Sequence, residues 1–503
     1  MIFEITDANE KQAIARKVLE ALTDWFGIEE SREEYISGSA DWTFFAAKEE
    51  DEAIGFLCLK ETGKATVELA VMGVLKDHHR SSVGRQLVER AKETAKTQGY
   101  EFMQVKTVKM GMYEDYDRTN LFYQSCGFKE FDNEHLKESI EVLKAAHPLL
   151  VSLISEEKDT GRIFYEKQND PEIPVTLGTD WQIDYDNVSK AGWNVQKEAL
   201  LKVFVYPSND SFKILFIAHH LLCDGRGLLM LTEEFAEYYS ANTKPEFSEE
   251  RLIESISDLP QGSELGFISK IIIKDANKKW GKEGHKVSYD EYLKFEKDFV
   301  SKQSIARNIM SFDGPSLYNI IEACKDNEVT VNDYLIAKMM FDENAQKIII
   351  ASDIRTKFRG YNEGSLGNYA SAFSVVVRKK HSDVIELAKA VRDEVKKILQ
   401  SPQKEMLVLA CYFNMDPELL DAVAISTLGG FTSNAGKFVG SRMFGFETRE
   451  GYCITNLGKI KSSIISKAAF IPPASPANRK AWGVLTVNDK MRICSVESVK
   501  LMC

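Results

Sequence analysis

Apolar positions along the chain switch between two periods, and the switches mark out its elements. Ile14, Val18, Leu19 and Leu22 recur at helical spacing, which predicts a helix over 11–26 with one buried face. Residues 1–5, 42–47, 53–59 and 65–74 read as strands, rich in β-branched and aromatic residues. Leu87, Ala91 and Ala95 predict a second helix over 86–99, followed by a strand at 102–108 and a helix end with a strand at 120–128. An amphipathic helix at 136–146 closes at His147-Pro148, since proline disfavours helix at the residue before it. Strands follow at 162–166, 200–206 and 212–218, the last two joined by a turn at Pro207-Ser208-Asn209-Asp210. Residues 257–303 mix apolar runs with charge clusters such as Lys278-Lys279-Trp280-Gly281-Lys282, and predict a partly mobile crossover. Helices are expected at 317–324, 331–341 and 385–398, and strands at 347–352, 372–378 and from Tyr452 onward.

Strands and helices intermixed in this way predict an α/β (α+β) fold, and 503 residues are enough for two or three domains. The composition, 44% hydrophobic and 28% charged, is that of a soluble globular protein. Eight cysteines (58, 126, 223, 324, 411, 453, 494 and 503) contain no C-x-x-C pair. This argues against a zinc site or a disulfide framework, so no metal is expected and a reducing, cytoplasmic setting is. The first residues lack a basic segment before an apolar core, and no run of about 18 apolar residues predicts a membrane span. Net charge is −12, and residues 1–134 carry 17 Lys and Arg against 26 Asp and Glu. Such a surface disfavours nucleic acid, and a phosphate-bearing ligand needs a local basic site.

The candidate chemistry centres on His219-His220-Leu221-Leu222-Cys223-Asp224-Gly225, where the strand at 212–218 stops. Leu228, Leu231, Phe235 and Tyr238 put a helix after it. A neutral imidazole is suited to general-base work near neutral pH, here on a hydroxyl or amine attacking a thioester. Asp224 is placed to brace the turn or to pair with an arginine, and Gly225 permits a sharp turn with positive φ.

This stretch resembles the HHxxxDG motif of the superfamily of chloramphenicol acetyltransferases, nonribosomal condensation domains, plant BAHD enzymes and alcohol acetyltransferases. The resemblance implies that His220 is the catalytic base, with His219 packing beside it, and that Asp224 is mainly structural. It extends through His147-Pro148, Thr330-Val331-Asn332-Asp333, Asp353-Ile354-Arg355, Gly367-Asn368 and Thr455-Asn456-Leu457-Gly458. It implies two related lobes with a tunnel between them and His220 at its middle. Arg355 is then the candidate partner of Asp224, Asn456 a structural residue, and Thr455 a hydroxyl donor to the tetrahedral oxyanion. The D-F-G-W-G element of the plant branch is absent, which places the chain nearer the bacterial ones.

In the first part, Lys76-Asp77-His78-His79-Arg80-Ser81-Ser82-Val83-Gly84-Arg85 joins a strand to a helix N-terminus. Small residues there leave backbone N–H groups for an anion, and His78, His79, Arg80 and Arg85 add positive charge in an acidic segment. Residues 1–131 resemble the GNAT N-acetyltransferases, whose acetyl-CoA loop reads Q/R-x-x-G-x-G/A. Aligned with it are His79, Arg80, Ser81, Ser82, Val83 and Gly84, flanked by Val74 and Arg85. His79 replaces Gln/Arg, and Ser82 replaces the first glycine with helical φ and ψ expected of it. The resemblance implies that Tyr123 protonates the departing thiolate. Glu68, read as a solvent-facing strand residue, is a candidate base for an acceptor amine.

The sequence thus predicts a GNAT-like domain at 1–134 and an HHxxxDG acyltransferase at 135–503. Acetyl-CoA or another acyl-CoA would be the donor and a small molecule the acceptor. Two alternatives stand beside this: a first domain that only binds or packs, and a second domain that is a condensation enzyme fed by acyl carrier proteins.

Overall fold

The computed structural model describes residues 1–63, 66–100, 102–108, 110–128, 133–157, 162–168, 171–178, 180–207, 211–283, 287–428, 432–444, 451–475 and 478–500. The turn expected at 208–210 lies outside them. The fold is mixed α/β with several sheets. The chain groups into two units. One is Met1–Asn133 with Thr176–Asp184 and Phe204–Leu215; the other is Glu134–Val175, Tyr185–Val203 and Phe216–Cys503. The sequence boundary does not anticipate the two short segments that join the first unit.

The first unit is built on strands β1 (Ile2–Ile5), β2 (Thr43–Glu49), β3 (Glu52–Gly63), β4 (Thr66–Val74) and β5 (Phe102–Val105), in that spatial order. Side chains alternate between faces along a strand, so each face of this sheet receives its own core. Phe44, Ala46, Phe56 and Cys58 pack with Ile14, Ala15, Val18 and Leu19 of the helix Ala8–Glu20. Phe45, Leu57 and Leu59 pack with Leu87, Val88 and Ala91 of the helix Val83–Thr97. Burial on both faces is why β2 and β3 read as near-continuous apolar runs.

β4 and β5 are parallel, and the helix Val83–Thr97 makes the crossover that parallel strands need. Their pairing runs from Thr66↔Phe102 to Leu69↔Val105, and β4 continues to Val74 beyond it. Between β3 and β4 the register slips at Cys58↔Val71 and Leu59↔Leu69, leaving Ala70 as a bulge. β5 is shorter than the strand expected at 102–108, and the helix Glu114–Ser125 takes in most of the region read as a helix end.

The second unit opens with the helix Asn133–Ala146. Strands β6 (Ser152–Glu156) and β7 (Ile163–Lys167) pair as a ribbon. A further three-stranded sheet, in the order β10-β9-β8, consists of β8 (Val175–Leu177), β9 (Leu201–Pro207) and β10 (Phe212–Ala218), parts of which fall in the segments 176–184 and 204–215 of the first unit. The large sheet holds β11 (Gln303–Asp313), β12 (Lys347–Asp353), β13 (Ala370–Val376), β14 (Gly451–Ile460), β15 (Asn478–Val487) and β16 (Lys490–Lys500). Their order is β11-β16-β15-β14-β12-β13, with β14 parallel to both neighbours. Leu335, Ile336 and Met339 of the helix Val331–Asp342 and Val391 of the helix Val384–Leu399 share a core with Ile348, Ile350, Phe373 and Trp482 of this sheet. The first of these helices starts on a capping box, Thr330 and Asp333 satisfying each other's backbone N–H.

The segment 257–303 holds more regular structure than its mixed composition suggests. It folds into two helices, Phe267–Glu283 and Tyr289–Ser301. Ile273, Ala276 and Trp280 anchor the first in a core with Ala410, Cys411, Leu419 and Ala435. Their three-to-four spacing is hidden in the sequence by the lysines between them.

Candidate active site

β10 ends at Ala218, and the chain passes through His219–Asp224 into the helix Gly225–Ala241. The loop's backbone is tied at nearly every residue. The His219 N–H donates to the Leu200 carbonyl at 2.9 Å, Leu222 N–H to the His219 carbonyl at 2.9 Å, and Asp224 N–H to the Gly367 carbonyl at 3.2 Å. The Tyr165 hydroxyl donates to the Leu221 carbonyl at 2.6 Å.

Asp224 is the N-cap of the helix, its Oδ1 accepting from the Gly227 N–H at 2.9 Å. Arg355 donates to the same carboxylate twice, Nη2 to Oδ1 at 2.8 Å and Nη1 to Oδ2 at 3.0 Å. The Tyr369 N–H adds a further bond to Oδ2 at 2.8 Å. Asp224 is 5% exposed, and a charge so buried is stable only when its lone pairs are met. Four donors meet them, so the carboxylate acts as a brace. Gly225 is the first helical residue, and a positive φ is not needed there. The glycine is needed for room, since a Cβ there would lie 2.9 Å from Phe470 and 3.0 Å from Leu457.

His220 is exposed. Its Nδ1 lies 2.9 Å from Asn368 Oδ1, and Asn368 Nδ2 donates to the His220 carbonyl at 2.5 Å. The second bond decides the first. A carbonyl only accepts, so the amide nitrogen faces it and the amide oxygen faces the ring. That oxygen only accepts, so Nδ1 carries the proton and the neutral ring leaves Nε2 as a lone-pair base. His219 is arranged differently. Its Nδ1 accepts from the Leu221 N–H at 3.2 Å and its ring meets Trp193 edge-on at 5.7 Å. Burial, with His220 beside it, pushes its pKa down to about 4, so it is neutral at physiological pH.

One tripeptide therefore holds both ends of the motif. Gly367 takes the Asp224 N–H, Asn368 orients His220, and Tyr369 donates to Asp224. Gly367 has φ 150° and its Cβ would fall 3.1 Å from the Tyr369 ring, so glycine is required there. Roles for Asn368 and Tyr369 do not emerge from the sequence. Asn368 stands 148 residues from His220, with no local pattern linking the two.

Thr455 lies on β14, two residues before the Leu457 that packs beside Gly225. Its hydroxyl has no side-chain hydrogen bond among the described residues. Asn456 bridges to Asn332 at 3.0 Å and accepts from the Gly458 N–H at 2.9 Å, a structural position. His147 is fully buried, its Nε2 2.6 Å from Glu234.

In the first unit, a 3-10 turn at Lys76–His78 leads from β4 toward the helix Val83–Thr97. Ser82 is not helical as expected: it caps the helix with φ 69° and ψ 0°, and Arg80 is left-handed too at φ 60°. Left-handed backbone costs a non-glycine residue about 1–2 kcal/mol, which accounts for the glycine that the resembled motif has at this position. Ser82 makes no side-chain cap, so the first-turn N–H groups of the helix have no such partner.

The expected cations are mostly engaged elsewhere. His79 Nε2–H donates to the Val74 carbonyl at 2.7 Å and the ring meets Trp25 edge-on, which turns it back onto β4. The Ser81 hydroxyl donates to the His78 carbonyl, and His78 stands 3.6 Å from Glu49. Arg85 ties the carbonyl and hydroxyl of Ser125, each at 3.0 Å. Arg80 is exposed and has no side-chain bond among the described residues. Gly84 faces Phe122, 3.2 Å from where its Cβ would be, and Val83 packs against the same core.

Glu68 is buried, not solvent-facing. It pairs with Lys106 at 2.9 Å and accepts from Gln104 at 3.2 Å, the residue opposite it on β5. Tyr123 is 8% exposed between Phe122 and Phe128, and burial pushes its phenol pKa well above the ordinary value.

Residues 40–130 match the family model described as Acetyltransferase (GNAT) domain. No curated protein matches the chain. Among solved structures, the chain is similar to a trichothecene 15-O-acetyltransferase from Fusarium sporotrichioides, with 11% identity, 72% of this chain and 81% of that one covered, and a TM-score of 0.48. It is also similar to the epimerization domain of the third module of tyrocidine synthetase B, at 15% identity over 74% and 84% of the chains and a TM-score of 0.44. The first condensation domain of the calcium-dependent antibiotic synthetase gives 10% identity, 73% and 83% coverage and a TM-score of 0.44.

Proposed function

We propose that this chain is an acyltransferase whose second unit moves an acyl group from an acyl-CoA thioester to a hydroxyl or amine of a small molecule. His220 Nε2 takes the acceptor's proton as the acceptor attacks the thioester carbonyl. Thr455 donates its hydroxyl to the oxyanion that forms. As the intermediate collapses, the protonated imidazole returns the proton to the departing thiolate. Asp224 and Arg355 hold the turn that carries the base.

The observation that carries this reading is the pair of bonds between Asn368 and His220. They supply what a general base needs: a fixed ring, a defined tautomer and an Nε2 with no hydrogen bond among the described residues. A ring held this way supports proton transfer more than it supports packing, because His220 is exposed. Asn368→Ala should lower kcat about tenfold, the worth of one orienting hydrogen bond, with KM little changed. Steady-state kinetics of free-thiol release checks this. An unchanged kcat would remove Asn368 from the account.

For the first unit we propose a separate acetyl-CoA site. The match of 40–130 to a GNAT domain supports acyl transfer here too. The uncapped N-terminus of the helix Val83–Thr97 would take the pyrophosphate, with Arg80 as the available cation and Val74, His79, Ser81, Ser82, Val83, Gly84 and Arg85 shaping the loop. The Tyr123 phenol, kept protonated by burial, would be the acid for the thiolate. Glu68 would be the base, through water, if Lys106 swings aside. Titration calorimetry of acetyl-CoA into the full chain tests this. Arg80→Glu should weaken the first-unit site roughly tenfold and leave His220-dependent transfer intact. Loss of both in a folded variant would show that the two sites are coupled.

A further inference from the structure

Four lysines on one helix run against the charge of the whole chain. Net charge is −12, yet the helix Phe267–Glu283 carries Lys270, Lys274, Lys278 and Lys282 at four-residue intervals. That spacing places them along one face. All four are exposed, and no ion pair among the described residues holds them. Lys279, off the row, is paired with Asp275 at 2.8 Å.

The first turn of the same outer side carries Phe267, Ile268 and Ile271, which are 79%, 72% and 53% exposed. The inner side is fixed: Ile273, Ala276 and Trp280 are buried in the core with Ala410, Cys411 and Leu419. The helix is thus held by one face and offers the other to solvent, with an apolar tip continuing into a cationic row. Neighbouring exposed apolar side chains beside a row of charge mark a surface made for contact.

The charge and residue types indicate what the face meets. The partner is anionic, because the row is cationic. Protein interface cores are depleted in lysine and enriched in arginine, and the outer face of this helix has no arginine. A lysine row beside Phe and Ile suits a lipid surface instead. The long stems let the ammonium groups reach phosphates while the apolar tip enters the acyl boundary. We infer that the helix Phe267–Glu283 docks this protein on an anionic lipid surface, lying on the bilayer. No helix of the described chain is long and apolar enough to cross a membrane. The acidic remainder of the chain is repelled by the same surface, so contact is confined to this face.

The test is co-sedimentation of the full chain with vesicles of phosphatidylcholine, with and without phosphatidylglycerol. The protein should sediment with the mixed vesicles, stay in solution with phosphatidylcholine alone, and be released by high salt. Lys270→Glu with Lys274→Glu and Lys278→Glu should weaken binding on the order of a hundredfold. Phe267→Ser with Ile268→Ser and Ile271→Ser should abolish stable binding while leaving the cationic row in place. Lys389→Glu with Lys396→Glu and Lys397→Glu, on the helix Val384–Leu399, is the control for net charge and should bind as wild type. Each variant is compared at a matched thermal melt, and the serine set serves if the charge reversal does not fold. Absence of binding to the mixed vesicles overturns the inference, as does binding that survives both sets or is lost equally in the control. Salt-sensitive association with a purified acidic carrier protein, without vesicle binding, would overturn it in favour of a protein partner.

Discussion

His220→Ala is expected to remove transfer by the second unit almost completely, lowering kcat/KM by roughly 10²–10⁴-fold, the contribution of a positioned general base. The fold should not notice. His220 is exposed, and the bond that anchors its loop to Asn368 runs through its backbone carbonyl, which alanine keeps. Substitutions at such positions change stability by about 0.5 kcal/mol or less. The check is initial-rate measurement of thiol release beside a thermal melt of the same sample. Activity within a few-fold of wild type would rule out the base role. His219→Ala should be milder in rate, because that ring is already turned inward to Trp193 and the Leu221 N–H.

Asp224→Ala should cost both stability and rate. It leaves the Arg355 guanidinium, 12% exposed, without its main partner. It also strips the acceptor from the Tyr369 and Gly227 N–H groups. Breaking a buried pair by removing one member typically costs about 3–5 kcal/mol, and the lost N-cap belongs to the same network, so its share does not simply add. The rate should fall because Asp224 sets the end of the loop that begins at His220. A urea titration followed by activity at low denaturant separates the two effects. Arg355→Ala should reproduce much of the loss, and the double variant should be little worse than either single one. Wild-type stability with lost activity would instead give Asp224 a chemical role.

What was legible in the sequence was local. The strand Phe212–Ala218 and the helix that starts at Gly225 follow from period and punctuation over a short stretch. Arg355 came into view through resemblance to a known motif, and its bidentate contact with Asp224 is now a distance. Asn368 and Tyr369 were invisible as partners because the contact is made across the fold, and nothing in Gly367-Asn368-Tyr369 states which side chain it will meet. Glu68 shows a related gap. A carboxylate in an apolar strand looks solvent-facing until the β5 register supplies Gln104 and the chain just past β5 supplies Lys106. Ser82 shows a third kind of gap: its type is compatible with a helix, but the loop places it left-handed, a property of the backbone path. At 257–303 the charged residues outnumber the three apolar anchors, so composition outweighed period.

The most direct measurement of the central claim is mass spectrometry of small molecules after the wild-type chain is incubated with a panel of acyl-CoA donors and a metabolite extract. The account predicts a product heavier than an acceptor by one acyl group, formed together with free CoA, formed also by Arg80→Glu, and missing with His220→Ala. The same product in equal amount from the His220→Ala protein, or no acylated product from any donor in the panel, would contradict it.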